Sequence, residues 1–302
     1  MIRPPTSGGQ SRQALVAGVL CYTLWGGIPF LFLAMGRAGA SPIEIVGQRA
    51  VWSVPWAGAL VLLAGQGRHV WAAFFQPRTM AWLLVSTLLL TCNWGTFVWA
   101  VTNGHNIEAS AGYYIVPLIS MGGGVVFFGE RMDRFGAGAM ALAGVGVVLQ
   151  AVALGHLPLI SLVLALSFGT YGLVRKHVSV DAQAGLMIES LLLAVPGLAF
   201  SLWLFASGGG LFGRSLGGSF LMAASGPATV IPLVLFAWAA RRLRLSTMGF
   251  LQFLGPTAGF ALGVATGEPL TPMRIVSFAF IWGGAVVFVL GAIRASRKVT
   301  PV

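Results

Sequence analysis

The chain has 302 residues, of which 57% are hydrophobic and 8% charged, and a formal net charge of +11. Soluble domains carry about 25% charged residues, so most of this surface is built for lipid and a water-soluble globular fold is excluded. The alternating segments of about ten residues that mark an outer-membrane barrel are absent. The cations lie in short clusters between apolar runs, which argues against a nucleic-acid-binding face.

The first apolar run covers 14–35. It follows Arg12 and precedes Ala38-Gly39-Ala40, loosely in the manner of a signal peptide. It is longer than the signal core of about 7–15 residues and holds Trp25 and Pro29, so it reads as a retained first span. Further runs follow at 42–64, 79–101, 109–129, 135–154, 157–174, 184–206, 218–240, 246–266 and 273–293. A bilayer core of roughly 30 Å takes about 20 helical residues. In lipid the backbone must satisfy its own hydrogen bonds, so these runs predict ten transmembrane helices. The seventh and eighth are blurred by the Gly-rich link from Gly208 to Gly218. The fourth, within "EASAGYYIVPLISMGGGVVFFGER" from Glu108 to Arg131, carries Pro117 and Gly122-Gly123-Gly124. Such residues are tolerated in membrane helices, where small side chains permit close packing and neighbours satisfy what a proline frees.

Other chemistries find little support. Cys21 and Cys92 both sit in apolar runs and read as small packing residues. His69, His105, His156 and His177 are too dispersed for a metal site, and no phosphate-loop motif G-x-x-x-x-G-K-[ST] occurs. The sequence therefore calls for no metal and no cofactor, and for no nucleotide hydrolysis by this chain.

Ten spans put both termini on one side. One set of connecting segments holds fourteen cations: Arg3, Arg12, Arg68, Arg78, Arg131, Arg134, Arg175, Lys176, Arg241, Arg242, Arg244, Arg294, Arg297 and Lys298. The opposite set holds Arg37, Arg214 and Arg274, and Arg49 lies inside a span. By the positive-inside rule both termini are cytoplasmic, in a bacterial-type plasma (inner) membrane.

The chain also repeats. "FVWA" at Phe97–Ala100 and "FAWA" at Phe236–Ala239 differ by 139, as do Pro117 and Pro256. Gly129-Glu130 and Gly267-Glu268 differ by 138, Pro55 and Pro196 by 141, and Trp25-Gly26 and Phe168-Gly169 by 143. This predicts two five-helix repeats, 1–154 and 155–302. Because five is odd, the second enters from the opposite side. The loop after "FVWA" has no cation, whereas Arg241, Arg242 and Arg244 follow "FAWA". Inverted repeats about a midplane site are a plan of secondary transporters.

The strings "EASAGYYIVPL", "FFGERM", "YGLVRK", "RLRLSTMGFLQFLGPT" and "FAFIW" resemble the RarD-like branch of the EamA family, within the drug/metabolite transporter superfamily. The resemblance covers roughly Gly18 to Ile293. It implies an all-α polytopic membrane protein of ten helices in two inverted bundles. It also implies a central cavity lined mainly by spans 1, 3, 4, 6, 8 and 9, and export of small metabolites or drugs. The stretch from Pro256 to Glu268 is one residue shorter than that from Pro117 to Glu130.

A polar group at depth is expensive in hydrocarbon and is a functional candidate by default. Glu44, Glu108, Glu130, Asp133, Asp181 and Glu268 fall at or near span ends, leaving Glu189 as the one acid and Arg49 as the one base well inside, 140 residues apart. Two readings stand: charges at the cavity, paired or separate, with Glu189 a proton-coupling site; or long side chains snorkelling to the headgroups. The further cavity candidates are Trp25, Asn93, Trp94, Tyr113, Tyr114, Tyr171, Trp238 and Gln252, several of which lie near span ends where aromatic belts also form. Pro117, Glu130, Pro256 and Glu268 mark the repeat, and the two glutamates read as caps or braces. The functional expectation is a secondary transporter, exporting small amphipathic or amino-acid-like compounds by alternating access. Its partners are membrane lipid and a small-molecule substrate, and it is a monomer or weak homodimer that binds no nucleic acid. A structural or regulatory membrane subunit is the alternative. An intramembrane enzyme would need clustered His, Asp or Cys at depth, which the sequence lacks.

Overall fold

A computed structural model describes residues 8–128, 133–240, 242–243 and 251–298. Among them the chain forms eleven helices and no strand. They are α1 (Gly8–Arg37), α2 (Pro42–Leu63), α3 (Gly67–Phe74), α4 (Pro77–Thr102), α5 (Asn106–Phe128), α6 (Arg134–Leu154), α7 (Leu159–His177), α8 (Ala182–Ala206), α9 (Leu216–Ala240), α10 (Leu254–Ala265) and α11 (Pro272–Lys298).

Each of the ten apolar runs overlaps one of these helices, and the short α3 is additional. Six helices are long and apolar enough to cross a bilayer alone, and a seventh span arises if the bent pair α2–α3 counts as one. α7 and α10 are shorter apolar helices. Of the ninth run, 246–266, residues 246–250 lie outside the described set, Gln252 and Phe253 form a turn, and α10 begins at Leu254. Helices that expose this much apolar surface make the chain an integral membrane protein. Leu62, Val126, Val195 and Phe220 are all at least 72% exposed.

Local chemistry sets the helix limits. Ser41 accepts from the Glu44 amide at the start of α2, with Pro42 in the first turn where no intrahelical donor is lost. Gly65, at φ +66°, follows α2 in the left-handed region that glycine enters without strain. Asp133 accepts from the Gly136 amide to open α6. α5 runs unbroken through Pro117 and the glycine triplet.

Two compact units divide the chain, and neither follows a sequence half. The first comprises Met1–Gly27, Asn106–Leu162 and Ile231–Val302. Its tightest contact is between α6 and α11, which run antiparallel. A Cβ at Gly146 would meet Ile281 Cγ1 at 2.6 Å, and one at Gly284 would meet the Ala139 carbonyl at 2.8 Å. Small residues let these backbones approach, the usual basis of helix association in lipid. α5 packs antiparallel on α10 in the same way, with Gly259 against Ser110 and Gly263 against Ile107.

The second unit comprises Ile28–His105 and Val163–Val230. Here α2 crosses α8 at Gly47 and Gly197, where a Cβ on Gly197 would lie 2.8 Å from the Gly47 carbonyl oxygen. A polar thread stitches the same pair. Trp52 Nε1 donates to Gln48 Oε1 (3.0 Å), Gln48 Nε2 to Ser201 Oγ (3.1 Å), and Ser201 Oγ to the Gly197 carbonyl (2.7 Å).

Candidate functional site

Glu189 is the eighth residue of α8, about 10 Å along the helix from its start. It is fully buried. Among the described residues three side chains meet its carboxylate, all within the second unit. The Ser86 hydroxyl of α4 donates to Oε1 at 2.5 Å. The Tyr171 hydroxyl of α7 donates to Oε2 at 3.0 Å. The Arg175 guanidinium, near the end of α7, stands 3.7 Å from Oε1, beyond hydrogen-bond reach. Its Nη1 is buried and has no hydrogen-bond partner among the described residues.

The helix geometry explains how Arg175 arrives there. Asp181, Gly185 and Glu189 recur at intervals of four, so they share one face of α8. A Cβ at Gly185 would collide with the Arg175 guanidinium. The missing side chain is therefore the gap through which a cation from the helix end reaches a carboxylate one turn deeper. At the exposed end of the same face, Asp181 pairs with His69 Nδ1 at 2.9 Å.

Arg49 lies in α2 and is 7% exposed. Its Nε donates to Thr229 Oγ1 of α9 at 2.9 Å, and that hydroxyl in turn donates to the Ser225 carbonyl at 2.8 Å. The guanidinium carbon stands 3.8 Å from the Trp94 ring centroid and 5.4 Å from that of Phe32, both within cation–π range. Trp94 also packs with Ala50, Leu90 and Leu193, and Tyr171 lies against that cluster. Asn93, one residue before Trp94, is buried and faces α7 instead: Nδ2 donates to the Leu164 carbonyl (3.2 Å) and to Ser167 Oγ (3.1 Å). The second unit thus gathers Arg49, Asn93, Trp94, Tyr171 and Glu189 from the sequence candidates.

The remaining candidates belong to the first unit. Trp25 packs edge-on to Tyr22 at 5.3 Å and lies 5.9 Å from Phe236. Trp238 lies under the Arg242 guanidinium at 4.3 Å. Tyr114 is buried on α5, stacked on Phe253 at 5.8 Å. Its hydroxyl stands 2.5 Å from Thr257 Oγ1. Thr257 already donates to the Phe253 carbonyl at 2.7 Å, so Tyr114 is the donor. Tyr113 is partly buried beside it, Gln252 lies in the turn before α10, and Pro256 in the first turn of α10. Glu130 lies outside the described residues.

Glu268 follows α10 but serves another helix. Its Oε1 accepts from the Asn106 amide (2.6 Å) and Asn106 Nδ2 (2.8 Å), and its Oε2 from the Ile107 amide (2.9 Å). These amides open α5, where a carboxylate satisfies orphan donors and complements the helix dipole. Glu44 likewise meets backbone amides in the second unit, accepting at Oε1 from Leu211 (2.6 Å) and Phe212 (3.0 Å) in the link before α9.

Sequence reasoning missed Ser86 and Arg175. Arg175 was counted among the loop cations. A signal for it existed in the Gly185–Glu189 spacing, which opens a path along one helix face. Among the described residues no group of His, Cys, Asp and Glu could hold a metal ion.

No family model matches the chain. Curated proteins do, over nearly the full length of both chains. An uncharacterized transporter of Vibrio cholerae serotype O1 is 38% identical over 291 residues, 95% of each chain. Protein RarD of Salmonella typhi is 41% identical over 292 residues, 96% of this chain and 98% of its own, and Protein RarD of Escherichia coli K12 is 39% identical with the same coverage. A crystal structure 19% identical in sequence covers 94% of this chain and 99% of its own at a TM-score of 0.59, which shows a shared fold. Full-length similarity at this level, on a chain of apolar helices with a buried polar site, places the protein in the RarD-like family of membrane transporters.

Proposed function

We propose that the chain is a secondary transporter that exports small amphipathic or amino-acid-like compounds by alternating access, with both termini in the cytoplasm. The observation that carries this reading is Glu189. A fully buried carboxylate is held by two hydroxyls and by a guanidinium that does not hydrogen-bond it. Buried charges in membrane helices mark substrate or ion paths by default. A carboxylate whose partners are all side chains can exchange them, for a proton or for a cationic group of a substrate, without unwinding a helix. Arg175 then acts as a tethered counter-ion that occupies the carboxylate between substrates. Arg49, on its platform of Trp94 and Phe32, offers a second polar point for a substrate in the same unit.

The inverted repeat is part of this proposal. Helices at equivalent positions of the two halves pack as antiparallel pairs: α2 with α8, α5 with α10, and α6 with α11. In the α2–α8 pair, the contact of Gly47 with Gly197 has a near mate in Gly58 against Met187. A two-fold axis in the membrane plane would produce such mates.

The test is flux. Purified protein in liposomes, loaded with labelled amino acids or amphipathic drugs, should release one of them down its gradient with no nucleotide present. A strict requirement for ATP would overturn the reading. Single cysteines at Asn103 and Ser179 should be labelled from opposite sides of the membrane, and labelling from one side would defeat the inverted topology.

A further inference from the structure

Between α2 and α4 the chain builds a feature that the transport site does not use. After Gly65, α3 leaves α2 at an angle of 116°. Its inner stripe, Val70 and Ala73, packs with Met80, Leu83, Val174, Val178 and Ile188. Its outer stripe is Arg68, Trp71 and Phe75, at i, i+3 and i+7 on one face. Trp71 and Phe75 are each 69% exposed and sit edge to face at 5.1 Å. Phe74 is 40% exposed, and Leu62 and Leu63 at the end of α2 are 79% and 86% exposed. Exposed Arg68 and Arg78 flank the patch.

We propose that α3 lies in the plane of the bilayer interface, docked on anionic lipid. Trp71, Phe74 and Phe75 sit at the headgroup–acyl boundary, and Arg68 and Arg78 contact lipid phosphates. Three observations select this occupant. The patch continues directly from Leu62 and Leu63 of α2, so the lipid that bathes α2 also reaches α3. Aromatic rings beside cations are the composition of the headgroup layer. The two arginines would meet like charge in a second copy facing this surface, and opposite charge in an anionic leaflet.

The docking has a consequence inside the protein. His69, also on α3, bonds Asp181 at the start of α8. Together with Gln76 and Ser179 these residues line a cavity of about 410 Å³. Lipid that fixes α3 therefore also fixes the wall of a cavity beside the helix that carries Glu189. The proposal rests on membrane insertion and on neither substrate nor transport direction.

The experiment uses full-length protein carrying Cys92→Ser, which removes the exposed cysteine and leaves Cys21 buried. A nitroxide is attached at Trp71→Cys, with Asn103→Cys as the aqueous reference. The protein is placed in nanodiscs of phosphatidylcholine, with or without phosphatidylglycerol, and collision with oxygen and with a water-soluble nickel complex is read by power saturation. The label at 71 should favour oxygen over nickel relative to the label at 103. Phosphatidylglycerol should lower its nickel accessibility further, and Arg68→Gln with Arg78→Gln should abolish that lipid effect. Nickel accessibility at 71 equal to that at 103 would overturn the proposal, as would indifference to phosphatidylglycerol. Protection from both reagents that disappears when protein is diluted across nanodiscs would assign the face to a second copy and overturn it equally.

Discussion

Glu189 and Glu268 are both carboxylates in a membrane protein with few acids, yet their surroundings differ in kind. Glu268 is met by the backbone amides of Asn106 and Ile107. Those donors are fixed by the start of α5, and no other group in a folded helix can take their place. Glu189 is met by Ser86, Tyr171 and Arg175, three side chains on separate rotors. The first arrangement braces a helix; the second can let go. Glu44, on the amides of Leu211 and Phe212, belongs with Glu268. The lesson is that the donor type, more than the presence of charge, separates a structural acid from one available for transport.

The two carboxylates should differ most in flux. Glu189→Gln should reduce liposome flux to that of protein-free vesicles and remove any dependence on pH, at matched levels of folded protein. Glu268→Gln and Glu44→Gln should keep wild-type flux per folded molecule. Loss of flux in Glu268→Gln at unchanged stability would end the distinction.

A smaller but still large effect is expected on folding. Arg175→Gln leaves Glu189 without its cation, and removing one member of a buried pair costs about 3–5 kcal/mol. The double change Arg175→Gln with Glu189→Gln should recover part of that loss, with a coupling of about 0.5–3 kcal/mol in the cycle. Strict additivity in detergent unfolding curves would show that the two charges do not interact.

The braces should matter less. Glu268→Gln keeps the shape and an acceptor but loses the charge at the start of α5, a loss of about 1 kcal/mol by the scale of helix caps and dipoles. Thermal unfolding of Glu268→Gln and Glu44→Gln would measure it.

Gly185→Ala displaces the same cation without removing it. The added methyl would collide with the Arg175 guanidinium, so Arg175 swings aside, and the stability lost is at most that of Arg175→Gln. Flux should also change its pH profile, because the counter-ion has moved off the carboxylate. An unchanged profile would mean that Arg175 does not govern Glu189.

Much of this molecule was legible in its sequence. The apolar runs became helices, because a lipid-immersed backbone has no alternative to internal hydrogen bonding, although only six of them, or seven with the bent α2–α3 pair, are long and apolar enough to cross a bilayer. The two deep charges stood out for the same reason: in hydrocarbon each is costly unless satisfied, at about 2.5–3.5 kcal/mol on insertion scales. The short α3 was missed because eight residues between Gly65 and Pro77 fall below any span length.

What the tertiary structure alone decided was the partner of each polar group. Glu189 finds Ser86 across 103 positions of sequence, and Glu268 finds Asn106 across 162. In water, the apolar face of a helix announces its burial. In lipid, the faces turned to solvent and to neighbouring helices are both apolar, so periodicity does not say which side packs. Helix identity follows from composition alone, but the rotation and pairing that bring Arg175 over Gly185 to Glu189 follow from glycine contacts and crossings between distant segments.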